Sequence, residues 1–128
     1  MRLLSSVLFA VLASTGCANP IDPASDLITA RAKASDQTLE VTNTSTDKVY
    51  YFVADPEKLA LVDWSVCLDP ARAECTFIAP GATKRISYTE FLGIGSTGTK
   101  AIVYHWRLIP TGTTYNYDSL RTLEVDLR

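Results

Sequence analysis

From Gln37 onward, apolar and polar residues alternate with a period of two, interrupted by clusters of turn formers. That period places successive side chains on opposite faces of a strand. Leu39 and Val41 alternate with Glu40 and Thr42, and the run stops at Asn43-Thr44-Ser45-Thr46-Asp47, a turn-forming cluster. Residues 48–54 predict a central strand with Val49, Tyr51 and Val53 on one face and Tyr50 and Phe52 on the other. Both faces are apolar, so one meets the core and the other is covered or forms a surface patch. A helical turn is expected over residues 55–60. A strand over 61–67 would align Val62, Trp64 and Val66, with Trp64 in the core. Residues 76–78 return to extended chain, and Pro80-Gly81 marks a turn. The next strand, 82–88, would point Ile86 and Tyr88 inward. After a glycine-rich loop at 93–98 comes the most apolar strand, 101–109, with Ile102, Tyr104, Trp106 and Leu108 on one face and Val103, His105 and Arg107 on the other. A polar, hairpin-like loop (110–119) and a closing strand (120–127) complete the chain.

About six to seven short strands at about ten-residue spacing, without a long helix, predict an all-β fold: an immunoglobulin-like antiparallel β-sandwich over residues 37–128. A small β-barrel is the alternative. Residues 18–36 are rich in Pro, Ala, Ser and charge and read as a flexible tether, about 25 Å from end to end. Within it, 26–34 has the composition of a short helix capped by Ser25 or Asp26.

The first residues follow another pattern. Arg2 precedes an uncharged apolar run from Leu3 to Ala13, which gives way to small residues and Cys17. This is the layout of a secretory signal, and at about eleven residues the run is short of the roughly 20 that a helix needs to cross a bilayer. Ala13-Ser14-Thr15-Gly16-Cys17 resembles the lipobox of bacterial lipoproteins, with Ser14 where that family usually carries Leu. The resemblance implies a signal peptide at 1–16, lipidation of Cys17 as the mature N-terminus, and a membrane partner held through that lipid. With two or three acyl chains such an anchor is stable. Ala18 follows the cysteine where, in enteric bacteria, Asp would retain the protein in the inner membrane, so the outer membrane is favoured.

With Cys17 assigned to lipid, Cys67 and Cys75 remain. In an oxidising compartment a disulfide between them is expected. A zinc site is the competing use, but His105 is the only histidine and no further ligand pair sits at metal-binding spacing, so neither metal nor cofactor is expected. The chain carries 12 Lys and Arg against 14 Asp and Glu, a net charge of −2, and its cations are scattered apart from Lys84-Arg85. That balance gives no basis for nucleic-acid binding.

The candidate chemistry is sparse. Gly93, Gly95 and Gly98 spell the dinucleotide fingerprint, but its mechanism needs a strand before and a helix after, and here a strand follows. A histidine side chain has a pKa naturally near neutrality, and His105 is the only one, yet no nucleophile elbow marks a serine partner, and a structural role on its strand is the simpler reading. Arg107 on the same face is expected to pair with Glu124 or Asp126. Tyr50, Phe52, Tyr115 and Tyr117 are the candidate binding surface, because aromatics with a polar rim are typical of recognition patches; the alternative is that they cover a second hydrophobic layer beneath the tether or a loop. The expectation is therefore a non-enzymatic binding or structural lipoprotein of the envelope, with a protein, peptide or glycan as partner. A protease inhibitor using the 67–75 and 93–98 loops is the alternative, and an envelope hydrolase using His105 a third.

Overall fold

The computed structural model describes residues 27–61, 63–92 and 98–128. Among the described residues, nine strands form three antiparallel sheets, none closed into a barrel. Strands β1 (Ile28–Lys33), β2 (Thr38–Asn43) and β5 (Thr83–Ser87) form the first, in the order β1-β2-β5. Strands β3 (Val49–Ala54), β4 (Phe77–Ile78), β6 (Lys100–Trp106) and β9 (Arg121–Asp126) form the second, in the order β4-β3-β6-β9. A two-stranded ribbon, β7 (Leu108–Thr111) and β8 (Thr114–Tyr117), is inserted between β6 and β9. The chain crosses between the two larger sheets after β2, β4 and β5, as a Greek-key sandwich requires.

The inner faces of the two sheets share an aliphatic core. Leu39 and Val41 of β2, Val49 of β3, Ala101 and Val103 of β6 and Leu127 beyond β9 are buried together, joined by Ile28, Ile78 and Ile86. Their positions follow the period of two read from the sequence, and the register Tyr51↔His105 and Val53↔Val103 keeps like faces together across β3 and β6. Tyr88 also turns inward, but from a short helix, α1 (Tyr88–Leu92), and donates its hydroxyl to the Leu127 carbonyl at 3.0 Å.

Four expectations are corrected. The tether does not extend to residue 36, because Ile28–Lys33 is a strand paired to β2 from Ile28↔Asn43 to Lys33↔Thr38. Ala30 and Ala32 look like helix formers, yet they occupy the inward positions of an edge strand opposite Val41 and Leu39, where a small side chain suffices. Among the described residues of 61–67, none forms a strand; Val62 lies outside the described residues, and Trp64 is in irregular chain rather than in the inner core. The strand expected over 101–109 breaks at Arg107, whose amide donates to Asp118 Oδ1 at 3.2 Å instead of entering the ladder. The polar loop at 110–119 contains most of a true hairpin, closed by the two-residue turn Gly112-Thr113. Gly112 has φ +65°, as the first central position of a type II′ turn demands. Of the glycine-rich loop, residues 93–97 lie outside the described residues.

The outer face of the second sheet is also covered. Strands β3 and β4 are antiparallel neighbours, Tyr50↔Phe77, yet the connection between them is long. It includes a 3-10 turn at Leu59–Leu61 and irregular chain from 63 to 69. The connection leaves the far end of β3 and returns beside its beginning, so it must travel along the sheet. Along that path Trp64 stacks on Phe52 with ring centroids 4.6 Å apart and 16° between planes, and it meets Tyr104 at 4.9 Å and Trp106 at 6.4 Å. Tyr50, Trp106 and Cys75 are the buried members of this second cluster, with Val66, Cys67 and Leu108 packed against them.

Candidate functional site

Cys67 and Cys75 are joined by a disulfide with their Cα atoms 5.5 Å apart. The bridge closes the base of an exposed loop, and the Trp106 indole N–H donates to the Cys67 carbonyl at 3.1 Å. Within the loop Asp69 Oδ1 accepts the Ala71 amide at 2.9 Å and Arg72 pairs with Glu74 at 3.0 Å. Covalent and polar ties thus fix the far end of the outer layer, where a ladder of strand hydrogen bonds is missing.

This pinned loop meets two other segments at one end of the sandwich. Tyr50 of β3 lies opposite Trp106 of β6, so the turn before β3 and the hairpin after β6 emerge side by side. Asn43 builds that turn. Fully buried, it donates Nδ2 to the carbonyls of Asp47 (2.7 Å) and Ile78 (2.8 Å) and accepts the Ser45 amide and hydroxyl on Oδ1 at 2.9 and 2.7 Å. The whole Asn43 side-chain amide is thus committed to bonds within the domain.

A charge network ties turn and hairpin together. Arg107 donates Nε to Asp118 Oδ2 at 2.7 Å and reaches Asp47 Oδ2 at 3.3 Å. Arg121, almost fully buried, donates to Asp118 Oδ1 and to the Ser119 carbonyl, both at 3.1 Å, while its Nε has no partner among the described residues. Burial works to raise the Asp118 carboxyl, but the hydrogen bonds from Arg121 and Arg107 outweigh it and hold the group at about 2. Arg107 is raised in turn, chiefly by its hydrogen bond to Asp118. Arg107 thus pairs with Asp118 and Asp47, not with Glu124 or Asp126 as expected. Glu124 instead pairs with Lys100 at 3.0 Å.

Between turn, loop and hairpin lies a cleft of about 540 Å³ whose walls include Asp47, Tyr50, Pro70, Arg107, Pro110 and Tyr115. On the other side of Tyr115 a second cleft, of about 850 Å³, separates the hairpin tip from the coil that carries Asp63, Trp64, Asp69 and Glu74. The four aromatic residues expected to form one surface divide between these features. Tyr50 is 4% exposed and forms a cleft wall; its hydroxyl is shifted upward by burial and by nearby Tyr115. Phe52 is half-buried under Trp64 and belongs to the outer layer. Tyr115 and Tyr117 are each 40% exposed on the hairpin. Ile109, 45% exposed, and Pro70 join them and had not been singled out by the sequence pattern. Nothing local marks Asp118 either, since Arg107, which bonds it through both backbone amide and side chain, stands on the other side of the hairpin.

His105 is fully buried. Its Nδ1 lies 3.1 Å from the Val103 carbonyl, and the Leu27 amide donates toward Nε2 at 3.5 Å. With Nδ1 carrying the proton, both contacts are satisfied, and the ring secures the entry to β1. Cys17 lies outside the described residues. Among the described residues no group of His, Cys, Asp and Glu gathers to hold a metal ion, and no helix is long and apolar enough to cross a membrane. Comparison with known protein families, with curated proteins and with solved structures finds no match to this chain.

Proposed function

We propose that the chain is a membrane-anchored module of the bacterial cell envelope, held by lipid on Cys17 and favouring the outer membrane, whose β-sandwich binds an envelope partner without catalysis. The partner would be a protein, peptide or glycan seated at the end formed by the β7–β8 hairpin, the 44–47 turn and the disulfide-pinned loop. The observation that carries this reading is the hairpin itself. It sets Ile109, Tyr115 and Tyr117 partly into solvent, with Ile109 and Tyr115 on the wall of a cleft, and recognition surfaces commonly use such exposed aromatics. In antibody variable domains the corresponding end of the sandwich carries the antigen-binding loops; that parallel is one of fold alone.

Two measurements test the reading in native cells. Mass spectrometry of the N-terminus should find Cys17 lipidated and first in the mature chain; an unmodified Cys17 removes the anchor. A photo-crosslinking residue at position 115 should give a discrete adduct that the same residue at position 31 does not. Excess soluble domain should compete that adduct away, whereas the Ile109→Ser, Tyr115→Ser domain should not. Equal adducts from both positions, or competition by the variant domain, overturn the binding site.

A second reading, protease inhibition, is favoured by one feature. Leu68, Asp69, Pro70 and Ala71 stand exposed on the loop closed by Cys67–Cys75, as a rigid wedge for a protease cleft would require. Unchanged activity of envelope proteases in the presence of the protein removes it.

A further inference from the structure

Every sheet edge in a soluble protein offers unpaired backbone groups and needs protection from other strands. Most edges here have it. Strand β1 carries Arg31 and Lys33, β5 carries Lys84 and Arg85, and β9 carries Glu124 and Asp126. Strand β4 is two residues long, and β7 contains Pro110. Strand β8 differs: it reads Thr-Tyr-Asn-Tyr, exposed throughout, with neither charge nor proline.

The register shows which backbone groups β8 presents. Thr111↔Thr114 closes the two-residue turn and forms the first hydrogen-bonded pair, so the alternation of antiparallel pairing makes Pro110↔Tyr115 a non-bonded pair. Pro110 has no N–H to give, which fits that assignment. The N–H and C=O of Tyr115 therefore point away from β7, and no turn or loop hydrogen bond among the described residues uses them. The Tyr117 amide is occupied by Asn116 Oδ1 at 2.9 Å, which leaves Tyr115 as the open donor on that edge.

Thr113, Thr114 and Tyr115 also form one wall of the larger cleft, about 850 Å³, and the opposite wall carries Asp63, Asp69 and Glu74 against the single cation Arg72. With Arg72 engaged by Glu74, the wall retains the charge of Asp63 and Asp69.

We propose that β8 is the docking edge for an extended segment of the partner, which adds to it as a further strand through the Tyr115 backbone and directs lysine or arginine side chains at alternate positions toward Asp63 and Asp69. Strand addition draws affinity from main-chain hydrogen bonds and specificity from alternate side chains. The proposal rests on the binding role of the hairpin and names the chemistry that it recognises.

The test titrates the full chain with a short capped peptide alternating lysine and valine. Amide shifts should change at Tyr115, and binding should weaken as salt is raised. N-methylation of the peptide's alternate backbone nitrogens should weaken binding by about tenfold or more, the scale of lost main-chain hydrogen bonds. Replacing its lysines by glutamate should abolish binding. The Asp63→Asn, Asp69→Asn variant should weaken it by about tenfold, while Glu57→Gln, an equal type of charge change away from the cleft, should not. Tyr115→Pro, which deletes the outward N–H, should also weaken it, with circular dichroism used to verify the fold. Equal binding of the N-methylated or glutamate peptide, shifts confined to other residues, or no binding overturns the proposal. If the peptide fails while the crosslink from position 115 persists in cells, the recognition chemistry is wrong and the site stands; if both fail, the binding role falls too.

Discussion

The second sheet contributes to two cores, one on each face, and they are built differently. The inner one is largely aliphatic and lies between two hydrogen-bonded sheets, so most of its residues are held by strands whose positions the ladder has already set. The outer one is aromatic and lies under irregular chain, held by ring stacking, the Cys67–Cys75 bridge and the bond from Trp106 to the Cys67 carbonyl. Alternate residues of the same strands, Val49 and Tyr50 or Val103 and Tyr104, feed both. Regular backbone pairing makes the first core self-supporting, whereas the second depends on a covalent closure.

The largest effect should come from the inner core. Leu39→Ala should cost about 4 kcal/mol, the range for a fully buried leucine, and lower every probe of folding together in denaturant titrations. Separate transitions for different probes would break the view that this core organises the whole domain. Replacing both cysteines by serine should cost about 2 to 3 kcal/mol, from the entropy of the opened loop. Both tryptophans of the chain, Trp64 and Trp106, sit in the outer layer. Their fluorescence should therefore change in this variant while far-ultraviolet circular dichroism keeps its native shape. Loss of both signals together would mean that the layers are one cooperative unit.

Acid should act at the junction between hairpin and sandwich. Asp118 is held below its unfolded value, so its contribution is fully present above that value and lost as pH falls through about 2. Stability should decline by about 2 kcal/mol between about pH 5 and pH 2, and Asp118→Asn should flatten that decline. The smallest effect belongs to the hairpin surface. Tyr117→Ser, at an exposed position, should change stability by no more than about 0.5 kcal/mol while reducing capture of the partner. A larger loss would assign the ring to folding rather than recognition.

The inner core was legible in the sequence because a period of two is a local signal: Leu39, Val41, Val49 and Val103 fall on it without further information. The two faces of 48–54 were equally legible, including the need to cover Tyr50 and Phe52. What covers them was not, because Trp64 packs through its ring while its backbone follows no ladder, and a run such as Val62-Asp63-Trp64-Ser65-Val66 reads as a strand. Strand β1 was masked by alanines, whose helix preference outweighs their fit to a strand edge until a partner is known. The Asp47–Arg107–Asp118–Arg121 network joins segments that no local pattern connects, so Arg107 was assigned to the wrong carboxylates. Of the four aromatic residues read as one surface, Tyr50 and Tyr115 come together at a cleft, while Phe52 is committed to the outer layer.

The position of Leu27 gives the domain a polarity. Its carbonyl accepts the Thr44 amide at 3.0 Å, beside the turn that flanks the smaller cleft, so the described chain enters at the same end of the sandwich as the hairpin. With a lipid on Cys17, only residues 18–26 would span the gap, a reach of about 30 Å when fully extended. The hairpin end would then lie nearer the anchor point than the opposite end. A partner of the hairpin would then be met within about that reach of the anchor. Lengthening the 18–26 segment would change which partners can be reached, without altering a single contact at the cleft.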